Sequence, residues 1–259
     1  MAAGKGTRIS RHIGELPKCT LDIGGESLIS HTAKMLLAKG VDVSVVLGYN
    51  KEVVIDSLAG LPISYFHNPF YDLTNSIASL WFARSAIGSD DLIIGNADVY
   101  WDEDIFAALN SGSKDPVMLA DSSRGEEGDY LFKFEDEKLL MYGKDLRGSD
   151  VSGEYVGIAR IGQEFQNIFL GKIQALIDRQ QHSLWWEDVL YSLIHDGQTV
   201  YVTDIRGLFW AEIDFIEDYE RIRQYRQQSG ALMRFPRKAA AMAVAPGEPR
   251  APGGAPGSS

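Results

Sequence analysis

Two kinds of segment alternate along the first half of the chain. Short β-branched runs end at glycine or polar residues at 43–47, 91–95 and 117–120, a pattern typical of buried strands in a parallel sheet. Between these runs, apolar residues recur at three- and four-residue spacing over 28–36 and 76–86, which predicts amphipathic helices. The alternation predicts a parallel sheet with helices on both faces.

The pattern changes after Asp121, where short strands separated by turn residues are predicted to extend the same sheet with antiparallel pairing. From position 239 onward the chain consists largely of Ala, Pro, Gly and Ser, a composition that cannot bury a core and predicts disorder. We therefore assign residues 1–228 to one domain and 229–259 to a low-complexity tail. The predicted later elements are strands at 130–134, 139–142, 155–159 and 199–202 and helices at 168–180, 185–195 and 217–228.

Composition narrows the classes of partner and compartment. The net charge of −11 over 259 residues argues against nucleic acid as a partner, because a phosphate backbone requires a basic surface. Cys19 is the one cysteine and cannot form an internal disulfide, which favours a reducing cytoplasm. No apolar run reaches the roughly 20 residues of a membrane span, and the first residues lack the apolar region of a signal peptide. We therefore expect a cytoplasmic protein without a membrane partner.

A glycine-rich segment near the start carries the first candidate chemistry. It reads Ala2-Ala3-Gly4-Lys5-Gly6-Thr7-Arg8 and is followed by Pro17-Lys18. Glycines allow backbone N–H groups to approach phosphates closely, and Arg8 and Lys18 would supply positive charge to a triphosphate. The glycine spacing alone is common in ordinary turns. It matches neither a P-loop, which needs Gly-Lys-Ser/Thr, nor a dinucleotide fingerprint with its third glycine.

The full set of motifs resembles the sugar-phosphate and phosphocholine nucleotidyltransferases, and the likeness extends over residues 2–223. The glycine-rich segment and Pro17-Lys18 resemble the signature of that family. Further likenesses lie at Gly25-x-x-Leu28-Ile29, Val46-Leu47-Gly48-Tyr49, Asn68, Asn75-Ser76-Ile77-Ala78-Ser79-Leu80, Asn96-Ala97-Asp98-Val99-Tyr100, Trp186-Glu187-Asp188 and Glu212-Ile213-Asp214 with Asp218-Tyr219. The segment at Asn75 is similar to the phosphocholine cytidylyltransferase branch.

The resemblance implies a glycosyltransferase-A-like, Rossmann-like α/β fold of three layers with a mixed, mainly parallel central sheet. It implies CTP as the nucleotide, Mg²⁺ as the cofactor and a small phosphorylated or phosphonylated acceptor. Arg8 and Lys18 would neutralise charge on the departing pyrophosphate, and Asp98 and Asp214 would hold the metal ion. The implied nucleotide contacts are Ala3, Gly4, Gly6, Thr7, Gly48, Asn68 and Ser79, and the implied acceptor contacts are Trp186, Glu187 and Asp188.

Elementary chemistry agrees with part of this assignment and offers other roles for the same residues. A carboxylate just after an apolar strand lies at the sheet edge where open α/β sheets bind ligands, and Mg²⁺ takes one or two carboxylates together with phosphate oxygens and water. Asp98 could instead form a turn, and Asp214 could cap the last helix. Glu187 and Asp188 could form a solvated helix face, and Trp186 could pack in the core.

Several functional alternatives stay open. The acceptor could be phosphocholine, 2-aminoethylphosphonate, a hexose-1-phosphate or inositol-1-phosphate, and a nucleotide-sensing domain of the same fold is the non-catalytic alternative. The oligomeric state is also open, with a homodimer among the alternatives. Members of the family carry an apolar strand before Ala-Ala-Gly, whereas Met1 directly precedes that motif here. We therefore expect the neighbouring strands to lack a ladder partner at this point.

Overall fold

The computed structural model describes residues 1–4, 9, 13–88, 90–125 and 128–234, with the backbone alone for 230–234. The predicted phosphate contacts Gly6 and Thr7, the predicted catalytic residue Arg8, and residues 235–259 lie outside this part of the chain. None of the helices in the described part is long and apolar enough to cross a membrane.

The described chain alternates helices and strands first and then enters an antiparallel region, as the hydrophobic pattern predicts. The helices are α1 (Leu28–Ala38), α2 (Lys51–Ser57), α3 (Ser76–Phe82), α4 (Glu103–Leu109), α5 (Gln166–Asp178), α6 (Asp188–His195) and α7 (Ile216–Arg234). The strands are β1 (Val43–Leu47), β2 (Ile63–His67), β3 (Leu92–Gly95), β4 (Val99–Tyr100), β5 (Val117–Asp121), β6 (Leu131–Glu135), β7 (Lys138–Gly143), β8 (Gly153–Ile161), β9 (Tyr201–Asp204) and β10 (Ala211–Glu212).

The sheet contains both parallel and antiparallel pairs, as predicted, and the strand order explains why. Six strands pair in the order β3-β8-β5-β9-β7-β6, and β1 pairs with β2 in parallel. β8 lies antiparallel between β3 and β5, whereas β5 and β9 are parallel neighbours. The described sheet therefore has more antiparallel pairings than the sequence analysis expected, because one long strand inserts between two strands that share a direction.

The two faces of β5 show that the fold has three layers. Met118 and Ala120 belong to one buried cluster, which contains Phe169 of α5. Val117 and Leu119 belong to another, which contains Ile105 of α4. Successive side chains of a strand point to opposite faces, so helices cover both sides of the sheet.

The boundaries of two helices differ from the prediction for identifiable reasons. The helix predicted at 185–195 begins only at Asp188, because residues 185–187 form a turn in which the Asp188 carboxylate accepts a hydrogen bond from the Trp185 amide at 2.8 Å. The last helix continues to Arg234, beyond the domain boundary that we placed at 228.

Met1 and Ala2 lie between β1 and β3. The Ala2 amide donates to the carbonyl of Val46 (3.0 Å), and the Met1 ammonium donates to the carbonyl of Gly95 (2.7 Å). Apart from this bridge, the facing edges of β1 and β3 have no strand partner within the described residues. A cavity of about 520 Å³ lies along both strands. Burial lowers the pKa of the Met1 ammonium, since desolvation disfavours a charge.

Adding a few apolar β-branched residues before Met1 should raise the melting temperature. The added strand can pair with β1 and β3, and an amide would replace the buried ammonium in its bond to Gly95. A gain of about 2 kcal/mol from burial would correspond to roughly 4–8 °C. Differential scanning calorimetry against a Gly-Ser extension of equal length measures this effect. Equal melting temperatures for the two extensions would show that the gap does not accept a strand.

Candidate functional site

A cavity of about 430 Å³ opens beside the ends of β1 and β3, a volume within the usual range for small-molecule sites. The described part of the glycine-rich segment, Ala3 and Gly4, forms one wall. Ala3 is fixed because its carbonyl accepts a hydrogen bond from the Tyr49 amide at 3.1 Å. No described atom lies within 4 Å of the position that a Cβ on Gly4 would occupy, so a ligand can approach its backbone.

Gly48 supports this wall without lining the cavity. A Cβ at Gly48 would lie 2.6 Å from the carbonyl oxygen of Ala3 and 2.7 Å from the Cβ of Tyr71. Those distances are shorter than any ordinary contact, so glycine is required for the close approach of the β1 end to Ala3. Gly48 therefore has a packing role, and its contact with the nucleotide stays a prediction.

Lys18 lies between two of the predicted site carboxylates. Its Nζ is 2.6 Å from Oδ1 of Asp214 and 3.5 Å from Oδ2 of Asp98, although these residues are far apart in the sequence. Burial opposes the charge on Lys18, but Asp98 and the hydrogen bond to Asp214 outweigh it and raise the lysine pKa. The buried lysine and the two partly buried carboxylates thus form one ionic group at the cavity wall.

Glu212 is a third acidic group in this place, and we call Asp98, Glu212 and Asp214 the carboxylate cluster. Burial, together with the charges of Asp98 and Asp214, raises the pKa of Glu212 to about 8. The sequence analysis missed Glu212 as a site residue. The signal was available, because it lies two residues before Asp214 at the end of a strand and would share its side of the chain.

At the start of the last helix, the carboxylate of Asp218 accepts hydrogen bonds from the amides of Asp214 (3.2 Å) and Phe215 (2.9 Å). This arrangement leaves the Asp214 side chain directed at Lys18. A helix-start carboxylate near free N–H groups is a common stabilising arrangement, and here it holds the segment that carries Asp214.

Four rings form what we call the aromatic wall: Tyr130, Tyr155, Trp185 and Tyr191, all of which line the cavity. The Tyr130 ring contacts the other three at centroid distances of 6.5 Å to Tyr155, 5.8 Å to Trp185 and 5.9 Å to Tyr191. Trp185 is 40% exposed, so part of its ring is available to a ligand. Lys144 approaches that ring with its Nζ 5.5 Å from the centroid, an arrangement typical of cation–π contact.

Of the three predicted acceptor contacts, Glu187 alone lines the cavity. Trp186 is fully buried and belongs to the core, so its prediction as an acceptor contact is wrong, and the neighbouring Trp185 takes the exposed position. The Asp188 carboxylate caps the turn at Trp185. Glu187 is 6% exposed, and burial raises its pKa to about 7.

The predicted nucleotide contacts Asn68 and Ser79 form an internal pair. Asn68 is fully buried, and its Nδ2 donates to the hydroxyls of Ser79 (2.9 Å) and Thr74 (3.0 Å). Its Oδ1 accepts from the Phe70 amide at 2.9 Å. The amide is therefore used within the protein and shapes the turn before α3, whereas Ser79 lines the cavity.

The comparisons with known proteins agree with this architecture. The sequence model of the MobA-like NTP transferase domain matches residues 1–159, more than half of the chain. The chain belongs to this family. Membership of this family makes the protein a nucleotidyltransferase.

Relatives and solved structures extend the likeness over most of the chain. The CTP:phosphoglutamine cytidylyltransferase of Campylobacter jejuni is 23% identical over 244 residues, covering 85% of this chain and 96% of that protein. The 2-aminoethylphosphonate cytidylyltransferase of Lancefieldella rimae is 29% identical over 195 residues, covering 73% and 77%. The structure of the CTP:phosphocholine cytidylyltransferase of Streptococcus pneumoniae superimposes with a TM-score of 0.72 at 20% identity, covering 87% and 96%. The glycosyltransferase-A-like fold is thereby confirmed.

Proposed function

We propose that the protein transfers the CMP group of CTP to a small acceptor that carries a phosphate or phosphonate and a cationic head group, and releases pyrophosphate. Phosphocholine and 2-aminoethylphosphonate are acceptors of this kind. The observation that carries the proposal is the cavity itself, which joins the Lys18 and carboxylate cluster to the aromatic wall and Glu187. The names of the relatives support CTP as the nucleotide.

The side chains fit Mg²⁺ as the cofactor. Asp98 and Asp214 offer hard oxygen ligands from two segments, and the Lys18 ammonium, within reach of both carboxylates, stands in for a cation. No group of three or more His, Cys, Asp and Glu among the described residues is arranged to hold a metal ion. Mg²⁺ takes one or two carboxylates and completes its shell with phosphate oxygens and water, so Asp98 and Asp214 could supply its protein ligands. When bound, Mg²⁺ would neutralise charge on the triphosphate.

The reaction needs no general base. An acceptor phosphate or phosphonate oxygen is already ionised near neutral pH, so it can attack the α-phosphorus of CTP directly. A bond forms between that oxygen and the α-phosphorus as the bond to the β-phosphate oxygen breaks, and pyrophosphate leaves with the electron pair. Lys18, with the predicted Arg8, would stabilise the departing charge, and the backbone at Ala3 and Gly4 would hold the phosphates. Catalysis then rests on positioning and charge neutralisation.

The acceptor end of the cavity suits a cation. Ring faces attract a quaternary ammonium by roughly 0.5–2 kcal/mol per good contact, and a primary ammonium can also donate a hydrogen bond to a carboxylate. Glu187 lines the same cavity as the aromatic wall and interacts with the Tyr155 hydroxyl. A sugar phosphate would instead need many neutral polar partners for its hydroxyls.

A competition assay tests this proposal. With CTP and Mg²⁺, phosphocholine or 2-aminoethylphosphonate should outcompete glucose-1-phosphate and inositol-1-phosphate. Glu187→Gln should raise the acceptor KM more than the CTP KM. The difference should be largest above pH 7, because burial raises the pKa of Glu187 to about 7 and the carboxylate is ionised only above that pH. Asp145→Gln, an exposed acidic residue, is the matched control and should change neither constant. A preference for a sugar phosphate would overturn the acceptor assignment.

A further inference from the structure

Asn96 is the first residue after β3, and its side chain makes hydrogen bonds to two different residues. Its Oδ1 accepts a hydrogen bond from the indole Nε1 of Trp186 at 2.9 Å, and its Nδ2 donates to Oε1 of Glu187 at 3.2 Å. An indole N–H can only donate, so the Trp186 contact requires the amide oxygen on that side. The amide nitrogen must therefore face Glu187, where it favours a carboxylate as its acceptor.

The backbone around Asn96 is fixed by the sheet. Its amide donates to the carbonyl of Gly157 at 3.0 Å, and its carbonyl accepts from the Val99 amide at 3.3 Å. Gly157 has a φ of +83°, and a Cβ there would lie 3.2 Å from Nδ2 of Asn96. The amide group thus fits closely against β8, with little freedom to turn away from Glu187.

The backbone before Glu187 is held from the opposite side by α3. The Trp186 amide donates to Oγ of Ser76 at 2.8 Å, and the Asn75 amide donates to the carbonyl of His182 at 2.8 Å. These bonds fix the main chain before Glu187, but they leave the direction of its carboxylate unset. The Asn96 amide donates to Oε1 of Glu187 and so helps to set that direction, alongside the Tyr155 hydroxyl.

We propose that Asn96 is a positioning residue that orients the Glu187 carboxylate for the acceptor head group and ties it to the strand end that carries Asp98. This inference rests on the proposed function, because it gives Glu187 an acceptor to bind. Asn96 lies two residues before Asp98 in the sequence. One short segment would therefore fix the metal-binding end of the cavity relative to its acceptor end. Asn96 also lines the cavity, but Trp186 and Glu187 engage its amide, so it acts on the acceptor through Glu187.

Titratable groups on several elements face Glu187, including the Tyr130 and Tyr191 hydroxyls of the aromatic wall. The Tyr155 hydroxyl belongs to β8, Asp188 follows on α6, and the Met1 ammonium lies at the start of the chain; each interacts electrostatically with Glu187. Burial raises the pKa of Glu187, and the Asn96 hydrogen bond lowers it. Loss of the amide should therefore favour the protonated form of Glu187, which binds a cation less well.

A double-mutant cycle separates positioning from a merely structural role. Asn96→Asp keeps an oxygen for Trp186 but sets a second carboxylate against Glu187, so the acceptor KM should rise by roughly 10-fold or more, in line with loss of a charged hydrogen bond. The CTP KM should stay within about twofold. Glu187→Gln should raise the acceptor KM similarly. The double variant should be no worse than Glu187→Gln alone, because residues that act through one another are not additive.

Controls keep each outcome interpretable. Asn110→Asp, at an exposed helix end, should leave both constants unchanged, and melting temperatures identify any variant that is merely unfolded. Additive losses, or a CTP KM that rises with the acceptor KM, would overturn the positioning role. Wild-type protein that transfers CMP to no acceptor would refute the proposed function instead.

A second readout tests Asn96 without catalysis. In protein labelled with ¹³C at the glutamate carboxyl carbons, the Glu187 resonance, assigned by its absence in Glu187→Gln, should titrate at higher pH in Asn96→Ala than in the wild type. An unchanged titration midpoint would show that Asn96 does not hold the carboxylate, whatever the assay of transfer gives.

Discussion

Asp98→Asn and Asp214→Asn should each abolish measurable turnover while the protein stays folded. Both carboxylates lie at the cavity wall and share the Lys18 ammonium, and each would supply one charged ligand to Mg²⁺. Asparagine preserves the shape of the side chain but removes the charge that binds a hard cation. The loss should exceed about 1,000-fold, since removal of a single preorganised stabilising group already costs about 100- to 1,000-fold.

The measurement is the steady-state rate of pyrophosphate release at saturating magnesium, with melting temperatures recorded in parallel. Asp72→Asn is the matched control, because Asp72 is exposed and its neighbour Tyr71 lines the cavity. It should retain wild-type activity. If either cluster variant keeps near wild-type turnover at saturating magnesium, that residue does not bind the metal ion.

Lys18→Ala should reduce kcat by about 100-fold or more, as expected for a preorganised cation that stabilises charge on a leaving group. The side chain is 9% exposed, so its charge acts where water screens it little. Without metal, the variant should also lose stability, because the carboxylate cluster would lose the ammonium that contacts Asp98 and Asp214. Added magnesium should restore part of that stability, since the ion binds the folded state.

Two lysine variants serve as controls for this result. Lys5→Ala removes a cation from the glycine-rich segment, and Lys34→Ala removes a half-exposed lysine that pairs with Glu26. Each should lower kcat much less than Lys18→Ala. Equal, small effects at Lys5 and Lys18 would contradict the role proposed for Lys18.

Local sequence patterns predicted the sheet edge but not the contacts made across it. The apolar run that ends before Asp98 placed a carboxylate at a strand end, and the fold has it there, at the cavity wall. The approach of Lys18 to Asp214 joins residues at opposite ends of the domain. The hydrophobic pattern cannot predict a contact between residues so far apart in the sequence. Only the likeness to a family placed both residues in one predicted site.

The acceptor end shows where sequence reasoning reaches its limit. Trp185 and Trp186 are adjacent, and a helix starting at 185 would not have told which ring faces the cavity. The turn before Asp188 buries Trp186 and exposes Trp185. Lys144 and Tyr130 carry no local motif and reach the cavity through the antiparallel strands. The roles of Gly6, Thr7 and Arg8 stay predictions from the sequence.

The central claim is that this chain joins CMP to a phosphorylated or phosphonylated acceptor with a cationic head group. The most direct test incubates the protein with Mg²⁺ and each of the four ribonucleoside triphosphates, singly, against phosphocholine, 2-aminoethylphosphonate, glucose-1-phosphate and inositol-1-phosphate. Pyrophosphate release and the mass of the product are measured together. We expect pyrophosphate and an equal amount of CMP-linked product with CTP and a cationic acceptor. Release that is fastest with UTP, ATP or GTP, or with a sugar phosphate, or no release with any pair, would contradict the account.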